Sequence, residues 1–196
     1  MPRRPRVIEE GRYYHVLTRG NDRKRIFRCR QDFLLFFELV RESLVKHPVG
    51  ISHYCLMNNH VHFLVRAIKP ADFSKFFQIL LQRYAHNFRK RYQHTGFLYQ
   101  NRYKSYPIEK DGYLLDCARY IERNPIRAGV VKDPEEYQWS SYKRYALGQK
   151  DDIITELNPL YMHLASNDAE RQRIYKEYVN EERPYELLVD KGLGIG

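Results

Sequence analysis

Two histidines stand two residues apart in the run His60-Val61-His62. On a β-strand, alternate side chains point to the same face, so both imidazoles would converge on one point while Val61 faces the opposite layer. Neutral imidazole is a common metal ligand, and this geometry favours a metal site. With 8 histidines in 196 residues, such a pair arises by chance about 0.3 times per chain, so two structural, hydrogen-bonded histidines are the alternative interpretation.

A tyrosine and an asparagine form a second candidate pair, because Tyr120 and Asn124 are four residues apart and therefore share one face of a helix. A phenol can attack phosphorus, but its reference pKa of about 10 means that it needs help, which a divalent cation polarising the phosphate could supply. The amide oxygen of Asn124 could complete the coordination. The alternative for Tyr120 is a packing role, which most of the 17 tyrosines of the chain would have. The alternative for Asn124, which precedes Pro125, is that it caps a turn or helix end.

The elements that would position these residues follow a recognisable order. Four runs rich in aromatic and β-branched residues predict strands, and two runs with apolar residues at helical spacing predict helices. In chain order they are strand 13–18, helix 31–46, strands 51–57 and 60–65, helix 69–91 and strand 96–108. This split βαβ order predicts an α+β, ferredoxin-like fold, in which a four-stranded antiparallel sheet carries both helices on one face.

A third helix is predicted over residues 111–123 and would carry Tyr120 as an addition to the ferredoxin-like unit. We expect Asn124-Pro125 to interrupt it, because the residue before a proline is pushed out of the α region. Asn124 would then cap a short turn that Gly129 ends.

Positive charge is concentrated in the first part of the chain. Residues 1–150 hold 29 Lys and Arg against 14 Asp and Glu, whereas residues 151–196 hold 5 against 10. We therefore divide the chain into a basic domain, 1–150, and an acidic, helical C-terminal extension, 151–196. The extension either shields the basic surface or packs its helix against the core of the domain. A basic domain rich in Tyr and Phe suits nucleic acid, since cations pair with phosphates and aromatic faces stack on unpaired bases. A merely soluble basic surface is the alternative.

Composition disfavours several other classes. No apolar run approaches the roughly 20 residues that cross a bilayer. The three cysteines are widely spaced, without a Cys-x-x-Cys pair, so neither a disulfide framework nor a zinc ribbon is expected. These features predict a cytoplasmic protein without a membrane partner.

Several blocks of sequence, in order, resemble one group of proteins. The blocks are YYHVLTRGN at 13–21, MNNHVHFLV at 57–65, GFLYQNRYKS at 96–105, RYIERNPIRAG at 119–129 and WSSY at 139–142. They resemble the single-tyrosine HUH transposases, particularly the REP-associated tyrosine transposases. The acidic extension lies outside the resemblance.

The resemblance implies a nuclease domain that acts on single-stranded DNA hairpins, here REP-like palindromes, in association with the nucleoid. His60 and His62 match the histidine pair that binds Mg²⁺ or Mn²⁺, and Tyr120 matches the nucleophile. Asn124 stands where the family has its third, amide-bearing metal ligand, which is glutamine in the insertion-sequence relatives. The insertion-sequence relatives are dimers and the REP-associated members monomers, so both states stay open.

The implied reaction is attack of the tyrosine on phosphorus, which forms a 5′-phosphotyrosine and frees a 3′-OH; a later 3′-OH attack rejoins the strand. Two imidazoles, one amide and phosphate oxygens favour Mn²⁺ in vitro, although cellular abundance can still load Mg²⁺. Two rival functions stay open: a non-catalytic, RRM-like module that binds single strands, and a zinc hydrolase built on His-x-His.

DNA contacts are predicted around the fourth strand. Alternation places Arg102 and Lys104 on one face, where they could track phosphate, and Tyr103 on the other, where it packs inward or stacks. Arg19 and Arg127, in turns near the site, would add charge. The alternative is that cations on an edge strand only prevent aggregation between sheets.

Overall fold

A four-stranded antiparallel sheet forms the centre of the computed structural model, which describes residues 6–108 and 113–181. The strands lie in the order β2-β3-β1-β4, which is the order of a ferredoxin-like sheet. They are β1 (Tyr13–Arg19), β2 (Gly50–Met57), β3 (His60–Arg66) and β4 (Lys104–Pro107). The predicted α+β architecture is confirmed.

The sheet is covered by helices on both faces. Helices α1 (Arg30–Lys46) and α2 (Pro70–Tyr92) pack on one face, around a core that includes Val61 and Phe63 of β3. Helix α3 (Tyr113–Arg127) packs on the opposite face against β2 and β3. Because side chains alternate along a strand, the β3 residues between those core positions point toward α3. The added helix therefore faces the histidine pair.

The fourth strand is much shorter than predicted. Only Lys104–Pro107 pairs with β1, whereas residues 97–103 form an irregular segment with one isolated bridge, Gly20 to Tyr99. Gly96 has a φ of 84°, a left-handed conformation that breaks an extended run. Residues 101–103 are therefore not part of β4, although Arg102 is exposed and Tyr103 is buried, as the alternation predicted.

Helix α3 continues through Pro125, so the predicted interruption at Asn124-Pro125 and the capping role of Asn124 are wrong. Pro125 has no N–H to donate to the carbonyl of Ile121. The side-chain Nδ2 of Asn124 donates instead to the carbonyls of Tyr120, at 2.8 Å, and Ile121, at 3.4 Å. Gly129, with a φ of 65°, follows the helix end, as expected of a C-terminal glycine.

Three further α-helices follow within the described residues: α4 (Tyr142–Ala146), α5 (Pro159–Met162) and α6 (Asp168–Asn180). They enclose a separate apolar cluster that contains Tyr145, Tyr161 and Tyr175. The segment before α5 also reaches the sheet, because Thr155 Oγ1 accepts from the backbone N–H of Ile51 at 2.8 Å. The residues from 151 to 181 therefore pack against the preceding part of the chain.

Candidate active site

The histidine pair lies on the α3 face of β3. The ring centroids of His60 and His62 are 4.9 Å apart and their planes are nearly perpendicular. His62 is fully buried and His60 is 8 % exposed. Nδ1 of His60 lies 2.6 Å from the side-chain oxygen of Asn59, the residue that closes the β2–β3 turn. The two rings therefore share one face of the strand, as predicted.

A third histidine, which the sequence did not single out, holds His62 from the neighbouring strand. Nε2 of His15, on β1, lies 2.8 Å from Nδ1 of His62, and the two rings are stacked. Leu17 is the direct partner of His62 across the two strands, so His15 reaches it diagonally. The alternation of side chains along β1 could have indicated that His15 lies on the face of the histidine pair, since residues 13, 15 and 17 share the face of residues 60 and 62.

His62 is held in its neutral form. Burial lowers the pKa of His62 well below its usual value, and the charges of His60, His15, Arg127 and Arg19 lower it further. Burial also lowers the pKa of His15 to about 4. Neutral imidazole keeps a lone pair for a cation.

One buried polar atom of the site points to a ligand. Among the described residues, Nε2 of His62 has no hydrogen-bond partner. Native structures rarely leave such an atom unsatisfied, and a cation bound there would use its lone pair. Within residues 6–108 and 113–181, no three His, Cys, Asp or Glu side chains gather as a metal cluster. A cation here would therefore need ligands of other types beside the two imidazoles, such as an amide or substrate oxygens.

Tyr120 is brought to the histidines by α3. Its ring is 5.7 Å from that of His62 and 5.7 Å from that of His15, edge to face in both cases. The side chain is 5 % exposed, and the guanidinium of Arg127 lies 4.8 Å from the ring centroid. The Tyr120 phenol therefore lies beside the imidazoles of His15 and His62 and beside the Arg127 guanidinium. Tyr120 is 58 positions from His62 in the sequence, so the fold brings these groups together.

Asn124 lies one helical turn after Tyr120 and is 7 % exposed. Its Nδ2 is committed to the α3 backbone, as described above, which directs the amide oxygen away from those carbonyls. The oxygen is the atom that a hard cation prefers. The donors present, two imidazole nitrogens and one amide oxygen, fit a divalent cation.

The predicted DNA-contacting residues are divided between the site and its surroundings. Arg19 pairs with His60 across β1 and β3, and Arg127 covers Tyr120. Arg102 and Lys104 are exposed and line a small hollow with Arg19. Tyr103 packs inward, the first of its two predicted positions: it is 6 % exposed, with its ring centroid 4.9 Å from that of Phe77.

The site falls within a recognised sequence family. The family model described as "Transposase IS200 like" matches residues 10–124, a range that contains His15, His60, His62, Tyr120 and Asn124. The chain belongs to this family. This transposase is therefore an enzyme of DNA cleavage and rejoining.

Individual proteins also resemble this transposase. A protein of Haemophilus influenzae named "Putative REP-associated tyrosine transposase" is 24 % identical over 135 residues, which are 63 % of this chain and 72 % of that protein. A solved structure of a REP-associated tyrosine transposase bound to a REP hairpin has a TM-score of 0.64 and 16 % identity, and the match covers 80 % of this chain and 92 % of that chain. The second likeness establishes the fold. No helix among the described residues is long and apolar enough to span a membrane.

Proposed function

We propose that this transposase cuts and rejoins single-stranded DNA next to a hairpin, with Tyr120 as the nucleophile. The observation that carries this proposal is the position of the Tyr120 ring, 5.7 Å from the ring of His62, although the two residues lie on different elements. A packing role for Tyr120 alone would not explain why two buried histidines lie beside its ring. Both residues lie within the range 10–124 that matches the IS200-like family, which supports the same roles.

In the proposed reaction, the phenol oxygen of Tyr120 attacks the scissile phosphorus and loses its proton. The bond from phosphorus to the 3′ oxygen breaks, and that oxygen takes up a proton as a 3′-OH. The products are a 5′-phosphotyrosine and a free 3′ end, and the reverse attack by a 3′-OH rejoins a strand. Because a diester bond is replaced by another diester bond, no nucleotide cofactor is required.

His60, His62 and Asn124 would hold a Mg²⁺ or Mn²⁺ ion. Such an ion supplies Lewis acidity to a phosphate oxygen, which compensates for the weak nucleophilicity of a phenol. The chain itself keeps His62 neutral by burial and directs its Nε2 away from His15.

The substrate proposed is a hairpin of REP-like sequence with unpaired flanks, encountered at the nucleoid in the cytoplasm. Two relatives support this choice through their names, which refer to REP-associated transposases and, for one, to a bound REP hairpin. Arg19 and Arg127 would contact the phosphate nearest the site, and Arg102 and Lys104 phosphates further along the strand.

The test is formation of a covalent protein–DNA adduct. A labelled hairpin oligonucleotide with unpaired flanks of mixed sequence is incubated with the full chain and Mn²⁺, then resolved under denaturing conditions. We expect an adduct that EDTA prevents. Binding without any adduct would favour the RRM-like alternative, and strand hydrolysis without an adduct would favour a hydrolase that uses water.

A further inference from the structure

The turn between β2 and β3, which precedes the histidine pair, is held by the loop that joins β1 to α1, residues 20–29. The backbone N–H of Gly20 donates to the carbonyl of Asn59 at 2.8 Å. Further along the same loop, the backbone N–H of Ile26 donates to the carbonyl of Asn58, also at 2.8 Å. The β1–α1 loop and the β2–β3 turn therefore form one hydrogen-bonded unit.

The β1–α1 loop has a tightly folded backbone. Asp22 and Arg23 have φ values of 53° and 54°, which lie in the left-handed region that residues other than glycine rarely adopt. A Cβ on Gly20 would lie 2.1 Å from the carbonyl oxygen of Lys24, so the close approach of these two residues requires glycine. Left-handed residues of this kind persist only where the surrounding contacts hold them. The loop is therefore held in a specific shape.

The side chain of Asn59 connects this loop to His60. Its Nδ2 donates to the carbonyl of Arg23 at 3.2 Å, and its Oδ1 lies 2.6 Å from Nδ1 of His60. The Arg23 carbonyl can only accept, so it must receive the NH₂ group of Asn59, and the amide oxygen must then face His60. The amide oxygen can also only accept. Nδ1 of His60 therefore carries a proton and donates it to Asn59.

The same nitrogen is engaged in both histidines of the pair. A neutral imidazole with a proton at Nδ1 has its lone pair at Nε2, so the contact with Asn59 makes Nε2 of His60 available to a cation. His62 also has its Nδ1 engaged, 2.8 Å from Nε2 of His15. The two partners belong to different elements, a turn residue for His60 and the neighbouring strand for His62. Each histidine of the pair thus has its own orienting contact.

We propose that Asn59 is a positioning residue that sets the tautomer and orientation of His60, and that the left-handed conformation of Arg23 positions Asn59 in turn. Nε2 of His60 is available to a cation only while the Arg23 carbonyl accepts from the Asn59 amide. The inference rests on the proposed function for the role of His60 as a metal ligand. It adds a control of that ligand by the backbone of the β1–α1 loop.

The first test measures the tautomer in the full chain without metal. Long-range ¹H–¹⁵N correlation spectra of the imidazole rings show which nitrogen of each histidine carries the proton. We expect Nδ1 for both His60 and His62 in the wild type. Asn59→Ala should let the proton of His60 move to Nε2 and leave His62 unchanged, because His15 holds it. In isothermal titration, this variant should bind Mn²⁺ about tenfold more weakly.

Two further variants separate the contact from the turn. Asn58→Ala removes the same amide from the adjacent, exposed position and should change neither the tautomer nor the affinity for Mn²⁺. Asn59→Asp keeps an oxygen that accepts from Nδ1 of His60 and should restore the tautomer that Asn59→Ala loses. Asn59 does not have a positive φ, so these changes at the turn do not alter a strained backbone.

A matched pair of variants at Arg23 tests the loop. Arg23→Gly and Arg23→Val remove the same charge and the same side-chain contacts. Glycine adopts a φ of 54° freely, whereas a β-branched residue strongly disfavours it. We expect Arg23→Gly to keep the Nδ1 proton of His60 and an Mn²⁺ affinity within about twofold of the wild type. Arg23→Val should bind Mn²⁺ at least about fivefold more weakly than Arg23→Gly.

The outcomes separate this inference from the proposed function. A wild-type His60 with its proton at Nε2 would overturn the inference, as would an Asn59→Ala protein with unchanged tautomer and Mn²⁺ affinity while His60→Ala lowers that affinity. Equal Mn²⁺ affinities in Arg23→Gly and Arg23→Val would overturn the control by the loop. A tautomer that depends on Asn59, in a wild type that binds no Mn²⁺, would support the positioning role and contradict the metal site of the proposed function.

Discussion

The contact between His15 and His62 occupies Nδ1 of His62, which leaves Nε2 as the nitrogen that can face a ligand. If Nδ1 of His62 carries the proton and donates to Nε2 of His15, at 2.8 Å, the lone pair of His62 is at Nε2. Burial lowers the pKa of His15 to about 4, so His15 stays neutral and able to accept. Residues that orient a metal-binding histidine in this way are commonly carboxylates or carbonyls. Here a second imidazole would do so without adding negative charge.

We expect His15→Ala to weaken binding of Mn²⁺ by about tenfold or more, because His62 loses the partner that sets its tautomer and orientation. Isothermal titration of the full chain with Mn²⁺ measures this directly. His15→Gln, whose amide oxygen can accept, should recover part of the affinity. His163→Ala, at an exposed histidine, is the matched control. Equal Mn²⁺ affinity in the wild type and His15→Ala would contradict the role given to His15.

Tyr120→Phe should lower the rate of adduct formation by about a thousandfold or more, while hairpin affinity stays within about threefold of the wild type. The substitution removes the attacking oxygen and keeps the ring that packs against the two histidines. Tyr113→Phe is the control, since that tyrosine is on the same helix but 54 % exposed. An adduct that persists in Tyr120→Phe and disappears in Tyr113→Phe would move the nucleophile.

At the scale of elements, apolar periodicity predicted the strands β1, β2 and β3 and the helices α1 and α2 to within two residues, because each buries one face against the sheet. It failed for β4, where Gly96 breaks the run and backbone hydrogen bonds go to the end of β1. The interruption predicted at Pro125 from the residue before a proline was wrong because the Asn124 amide replaces the missing donor. His15 was missed because its partner lies on the neighbouring strand β3: the period of β1 shows which face His15 occupies, but not which residue of β3 it contacts.

The start of α1 is tied to the end of α2 through Asp32. Burial would raise the pKa of Asp32, but hydrogen bonds that it accepts from the Arg28 backbone, Tyr92, Arg91 and the Cys29 backbone lower it overall. Because the carboxyl pKa is lower in the folded state than in the unfolded state, ionised Asp32 stabilises the folded protein at pH values above the unfolded-state pKa of about 4. This stability is lost as the pH falls through the folded-state pKa.

Asp32→Asn should therefore lower the free energy of unfolding at pH 7 by about 1–3 kcal/mol. The difference between variant and wild type should shrink below about pH 4, where the wild-type carboxyl also begins to protonate. Urea unfolding at both pH values measures it. Asp22→Asn, at an exposed aspartate, should change little. A difference that grows toward low pH would contradict this account.

At the scale of the whole molecule, Glu122 joins three parts of the chain. Its fully buried carboxylate accepts from Nδ1 of His53 at 2.9 Å, from Ser141 at 2.6 Å and from Tyr175 at 2.8 Å. An irregularity in β2 between Ile51 and His53 interrupts the strand alternation at this point. These hydrogen bonds connect the helix that carries Tyr120 to β2, to the start of α4 and to α6.

Truncation after Lys150 should destabilise the protein rather than expose more DNA-binding surface. It removes Ile153, Tyr161, Tyr175 and Val179, all of them buried, and each such side chain contributes about 1.5–3 kcal/mol. The melting temperature should fall by more than about 10 °C in circular dichroism, or the protein should not fold. Tyr175→Phe should cost only about 1–2 kcal/mol and keep adduct formation at 25 °C. An equally stable truncated protein with tighter DNA binding would instead favour a tail that shields charge.

The last turn of α6 gives the Tyr120 helix a second attachment. Arg119 donates to the carbonyls of Tyr178 and Glu181, and Arg123 donates to the carbonyl of Val179 at 2.8 Å. In hydrogen–deuterium exchange, the amides of α3 and α6 should therefore open together as one cooperative unit, with the same dependence on denaturant. Separate opening of α6 at low denaturant would mean that these contacts do not couple the two helices. If they open together, no partial unfolding of the C-terminal helix can release the nucleophile while the rest of α3 stays folded.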